Sequence, residues 1–168
     1  MGLFSLKVES LHQLFVKELR DLYDAENQIT EALPEMIESA SASELKEALE
    51  EHLEVTKEHV ERLDRIFGLL QYKASRSTCK GIKGIISEGS ELVSGKGDPS
   101  IIDAGIIAVA QKVEHYEIAA YGTVRTYAEL LGKREIAQLL QETLEEEKDA
   151  DTVLSSIARS VNVEAKAA

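Results

Sequence analysis

Glu114 and Glu117 stand on a stripe that is otherwise apolar or aromatic, made of Ile106, Ala110, Val113, Tyr121 and Val124. Steps of four, three and four from Ala110 to Tyr121 place these positions on one helix face. Carboxylates on a core-facing stripe are costly unless they are paired or bound to metal. Other segments offer partners of the same kind. Glu26 lies between Leu22 and Ile29, with Glu18 two turns earlier and nearer the end of the pattern. Glu147 interrupts the run Ile136, Leu140, Thr143, Ala150, Leu154 and Ile157, while Glu145 and Glu146 read as surface charges. His59 falls one turn before Leu63, and His52 lies seven residues earlier on the same side, with Thr56 between them. Carboxylate oxygens suit hard or borderline divalent ions, and imidazole adds affinity for iron and manganese. The expected ligands are therefore Glu26, His59, Glu114, Glu117 and Glu147, for iron or manganese. Each has a plainer reading: a glutamate at a solvated edge, or a histidine satisfied at the margin of the core.

Positioning them requires long helices. The first pattern runs from about Val8 to Ala40 on Leu11, Phe15, Leu22, Ala25, Ile29, Leu33 and Met36, with a kink expected at Pro34. Ser41 and Glu44 read as a capping box opening a second helix to about Leu70, with stripe Leu45, Leu49, Leu53, Val60, Leu63 and Phe67. Gln71 to Gly97 holds five glycines and short apolar clusters, so it reads as a crossover with one or two short helices. Asp98-Pro99 suits the start of a third helix, and Gly132 its end. A fourth runs from near Arg134 to about Val161, ahead of a tail from Asn162 to Ala168 expected to fray. No segment alternates as a strand. Two helical hairpins joined by one long crossover have the connectivity of an all-α, ferritin-like antiparallel four-helix bundle, one domain spanning residues 1–161.

Composition narrows the function. A net charge of -12 repels a phosphate backbone and an anionic membrane alike, so neither nucleic acid nor membrane is an expected partner. The nearly apolar run Ile101 to Ala110 is too short to span a bilayer, and Met1 to Ser10 lacks the apolar region of a signal peptide. One cysteine, Cys79, excludes an internal disulfide and fits a reducing, cytoplasmic setting. Arg76 and Lys80 near it could lower its pKa and make a redox thiol, against the plainer reading of an inert buried cysteine. No G-x-S-x-G, P-loop or dinucleotide fingerprint is present, and Gly81-Ile-Lys-Gly84 is too little for a phosphate site.

Ferritin-like di-metal proteins carry Glu-x-x-His on the second helix of each hairpin. Here each keeps half, as Thr56-x-x-His59 and Glu147-x-x-Ala150. Glu54 could replace the missing Glu and Asp151 the missing His; otherwise the site holds metal with fewer protein ligands, or has decayed. The strings Asp21–Gln28, His52–Leu63, Ala110–Gly122 and Leu144–Lys148 resemble, in order and spacing, the YciE/YciF-like branch of the ferritin-like superfamily. The resemblance implies a homodimeric bundle, a di-metal site and a link to bacterial stress. Glu114-His-Tyr-Glu117 is more distantly similar to the paired glutamates of rubrerythrins, which reduce peroxide at di-iron. On that likeness the expected activity is peroxide reduction or metal oxidation, with Tyr23 or Tyr121 as donors to the ligands. A single cysteine cannot build a rubredoxin module, so electrons would come from an external donor. The alternative is a non-catalytic homodimer serving as a structural or partner-binding stress protein; a storage shell ranks below both.

Overall fold

The computed structural model describes residues 8–168, and the start of the expected domain, residues 1–7, lies outside them. Five helices follow in order: α1 (Leu11–Ser39), α2 (Ser43–Leu69), α3 (Lys80–Val93), α4 (Pro99–Leu130) and α5 (Arg134–Ala167). Among the described residues there is no strand. Helices α1 and α2 form one hairpin, α4 and α5 the other, and α1 packs on α4 as α2 packs on α5. The result is the ferritin-like bundle, with α3 as the single helix of the crossover, packed against α1 and α4. No helix of the described residues is long and apolar enough to cross a membrane.

The helix ends follow local chemistry. Ser10 caps α1 by accepting from the Gln13 N–H, and Asp98 caps α4 by accepting from the Ser100 N–H, with Pro99 in the first turn. Gly132, at φ 71°, ends α4 in a Schellman arrangement: its N–H donates to Glu129 O and the Lys133 N–H to Ala128 O. The same pattern ends α2, where Gln71 takes φ 59°. Helix α1 runs on through Pro34, and α5 continues to Ala167 through residues expected to fray. That stretch contains no glycine or proline to stop it.

The capping box at Ser41 and Glu44 does not form. Ala42 occupies the cap position and has no side-chain cap. Asp103 of α4 instead reaches across, accepting from Ser41 N–H at 2.8 Å, Ser41 Oγ at 2.6 Å and Ala42 N–H at 2.8 Å. A buried carboxylate on one hairpin thus satisfies the orphan donors at the turn of the other.

The core falls into two clusters. One contains Phe15, Leu19 and Leu22 of α1 with Leu63, Phe67, Val124 and Leu140. The other contains Ile29, Leu33 and Met36 with Leu49, Ile106, Leu154 and Ile157. On every bundle helix the boundary between them falls where the acids and histidines lie: Glu26, His52 to His59, Glu114 to Glu117, and Glu147. The bundle is two apolar cores separated by a polar layer.

Candidate metal centre

Four glutamates, one each from α1 and α5 and two from α4, converge in that layer. Glu26, Glu114, Glu117 and Glu147 are all at most 1% exposed, as is His59. On α2 the buried face turns through Thr56, His59 and Leu63, while Leu53 and Val60, expected on the core stripe, sit half-buried at its edges. That rotation points both histidines inward. His59 Nδ1 lies 3.1 Å from Glu147 Oε1 and 3.4 Å from Glu26 Oε1. His52 Nε2 lies 3.4 Å from Glu114 Oε1.

Two groups of donors result. Glu26, His59 and Glu147 each place one donor atom within 4.8 Å of the others'. His52, Glu114, Glu117 and Glu147 do the same. Glu147 belongs to both. Several of these atoms lack a hydrogen-bond partner although buried: Glu26 Oε2, His52 Nε2, His59 Nδ1, Glu114 Oε2, Glu117 Oε1 and both oxygens of Glu147. Buried polar atoms are ordinarily satisfied. A convergent set of unsatisfied oxygens and imidazole nitrogens fits the donor chemistry of two divalent ions, whose charge would match four carboxylates.

Without metal, protons must carry the compensation. Burial pushes the Glu114 carboxyl up to about 10, helped by the charge of Glu147. Burial likewise raises Glu26, and Glu117 well above the usual carboxylate range. His59 responds in the opposite sense: burial disfavours its charged form, but the Glu147 and Glu26 carboxylates beside its Nδ1 outweigh this and raise it to about 11. Burial lowers His52.

Surrounding residues hold the cluster in place. Tyr121, fully buried, donates its hydroxyl to Glu26 Oε1. His59 Nε2 lies 2.9 Å from Glu146 Oε2. Glu146 in turn accepts both Arg62 nitrogens, at 2.5 and 3.1 Å, and Arg62 also donates to Thr143 Oγ1 at 2.6 Å. An imidazole anchored through Nε2 presents Nδ1 to the cluster with fixed orientation.

Some expected residues lie elsewhere. Glu54 is exposed and pairs with Lys57 at 2.5 Å, because its position is rotated off the buried face of α2. Asp151 sits at the partly exposed edge of α5, near His115 and Gln111, and joins neither donor group. Glu18 pairs with Lys17 at 2.7 Å. Tyr23 packs edge-on against Phe67 rather than donating to a ligand. Cys79 is not an activated thiol: burial raises its pKa, its sulfur contacts the Tyr116 hydroxyl at 3.1 Å, and Arg76 is engaged by Asp24 and Glu31. Conversely, Glu146 is no free surface charge, and His52 belongs to the cluster. The signal for His52 was its spacing of seven from His59; for Glu146 there was none beyond adjacency to Glu147.

A ferritin-like bundle with a buried carboxylate–histidine layer defines the class. Within it, the chain belongs to the family described as Domain of unknown function (DUF892), whose model matches residues 10–168. It is 41% identical to Protein YciF of Escherichia coli (strain K12), over 96% of this chain and 98% of that protein. Among solved structures it is similar to the E. coli stress protein YciF, with a TM-score of 0.89 over 92% of this chain and 98% of that one. It is also similar to YcfI from Rhodopseudomonas palustris, at 45% identity and a TM-score of 0.87, covering 91% of this chain and 98% of that one.

Proposed function

We propose that the polar layer is a di-metal centre for iron or manganese, and that the protein uses it in redox protection under stress, reducing peroxide or oxidising the metal. The carrying observation is that seven buried donor atoms of one cluster have no hydrogen-bond partner. Glu26 and His59 would hold one ion, His52, Glu114 and Glu117 the other, and Glu147 both. When bound, such ions supply one-electron chemistry that no side chain of the cluster offers. The chain's own part is to supply oxygen-rich ligands, to hold His59 through Glu146 and Arg62, and to hold Glu26 by the hydroxyl that Tyr121 donates to it. Walls of aliphatic side chains above and below the layer limit water. Electrons for turnover would come from another protein. The resemblance to a stress protein supports the physiological setting, and the family likeness supports a homodimer in the cytoplasm.

A second reading rests on Thr56 and Ala150, which stand where di-metal bundles carry Glu and His. On it the chain is a structural or partner-binding homodimer, in line with the structural role ascribed to the R. palustris relative. Metal content separates the two. Full-length protein purified without chelator should carry about two iron or manganese ions per chain, lost in a Glu114→Ala/Glu147→Ala variant. Failure to take up metal after reconstitution with Fe²⁺ or Mn²⁺ would leave the second reading.

A further inference from the structure

A cavity of about 240 Å³ lies beside the polar layer, in the half of the bundle containing Leu33 and Leu154. Its walls come from all four bundle helices, with Ile86 of α3, and are mostly aliphatic. One alanine from each helix lines it: Ala32, Ala48, Ala110 and Ala150. Interiors pack to near-crystal density, with few voids larger than a water molecule. Here small side chains stand at four facing positions where larger ones would close the space.

The cavity also has a polar end. His52 and Glu114 line it, and both are metal-ligand candidates. Glu114 is 1% exposed, and its Oε2 has no hydrogen-bond partner, like Nε2 of His52. Three further acids line it from α2 and α5: Glu51 and Asp149 at exposed positions and Glu146 at a half-buried one. The acids of the lining disfavour an anion, while the aliphatic walls disfavour any charged body.

We infer that this cavity binds a small uncharged molecule with an aliphatic body and a single polar end, the polar end meeting His52 and Glu114. A dry apolar cavity of 150 Å³ accepts benzene, so by proportion this one, of about 240 Å³ and partly open, takes about ten non-hydrogen atoms. The binding depends on the walls and not on metal, so it stands apart from the redox reading. Next to a di-metal centre, the bound molecule would present its polar end to the ions.

Octan-1-ol matches these requirements and serves as the probe. Full-length protein, before and after loading with Fe²⁺ or Mn²⁺, is titrated with octan-1-ol and followed by calorimetry and methyl NMR. Saturable binding is expected, with shifts at Leu33, Val113 and Leu154. Octanoate should bind the metal-free protein at least about tenfold more weakly, a difference of about 1.4 kcal/mol. Ala150→Leu and Ala48→Leu, each of which adds bulk to a cavity wall, should cut octan-1-ol affinity by about tenfold or more while circular dichroism, metal content and native mass stay unchanged. Absence of saturable binding by the parent protein overturns the inference, as does undiminished binding by both folded variants. A drop in native mass in the filled variants also overturns it, by showing that a second copy occupies the cavity. Octan-1-ol binding by protein that takes up no metal would sustain this inference while the redox reading fails.

Discussion

Glu147 is the residue on which the centre turns, since it alone is common to both donor groups. On the di-metal reading, Glu147→Gln should therefore abolish binding of both ions, whereas Glu26→Gln should abolish binding of about one per chain, as read by metal analysis after dialysis. The same residues set how the metal-free protein responds to pH. Glu114 ordinarily titrates at 4.5 and is raised to about 10; His59 ordinarily titrates at 6.5 and is raised to about 11. Both bind protons more tightly folded than unfolded. Their contribution to stability is complete below their ordinary values and is lost as pH rises through the folded ones. Metal-free protein should accordingly melt at a lower temperature at pH 9 than at pH 6, and loading with metal should release protons, seen as a buffer-dependent heat of binding. An equal melting temperature at the two pH values would contradict the protonated cluster. Glu26, Glu114, Glu117 and Glu147 were readable because each breaks an apolar stripe at helical spacing, and the structure brings them into one layer with His59. Glu54 and Asp151 were suggested by motif completion rather than by facing, and facing decides which residues meet.

At the scale of elements, the ends of α2 separate what local sequence specifies from what it cannot. Its C-terminal turn uses Gln71 at φ 59°, a conformation that costs a residue with a Cβ about 1–2 kcal/mol. Gln71→Gly should stabilise the protein by roughly 1 kcal/mol, measured as a higher urea midpoint with unchanged slope. A lower midpoint would show that the Gln71 side chain does more than fill the turn. Gly132 at the end of α4 already follows the rule, and was recognisable from sequence for that reason. The N-terminal end of α2 was not. Ser41 and Glu44 have the spacing of a capping box, but a carboxylate 62 residues away takes the Ser41 donors instead. The crossover shows the same division. Its helical spacing announced a helix, but not that Gly81 lies against Tyr116, where an added Cβ would come within 2.5 Å of the ring.

The whole molecule places a strip of charge across the middle of its own core, and this sets what holds it together. Apolar clusters above and below supply the usual burial, yet the layer between them adds nothing until its acids are neutralised. On the di-metal reading, metal loading should raise the melting temperature, by an amount equivalent to about 2.7 kcal/mol for each site when free metal is one hundred times its dissociation constant. Chelator should reverse the shift. No shift on loading would count against the di-metal reading independently of any activity assay. The connectivity was legible because only a long middle segment separates two hairpins with clear helix starts and stops. The two-core arrangement was not, since it depends on the acids of four helices reaching the same height.

The bond from Asp103 to Ser41 and Ala42 also bears on how quickly the native state is lost. It joins residues far apart in sequence, so closing it requires both hairpins to be formed and docked. Such a contact belongs late on the folding path, after the rate-limiting barrier. Asp103→Ala should then leave the refolding rate nearly unchanged and accelerate unfolding about 30-fold for a loss of about 2 kcal/mol. Stopped-flow chevrons would show this as displacement of the unfolding arm alone. The carboxylate that ties down the α1–α2 turn is thereby also a brake, and it lengthens the lifetime of the fold without changing the speed of its assembly.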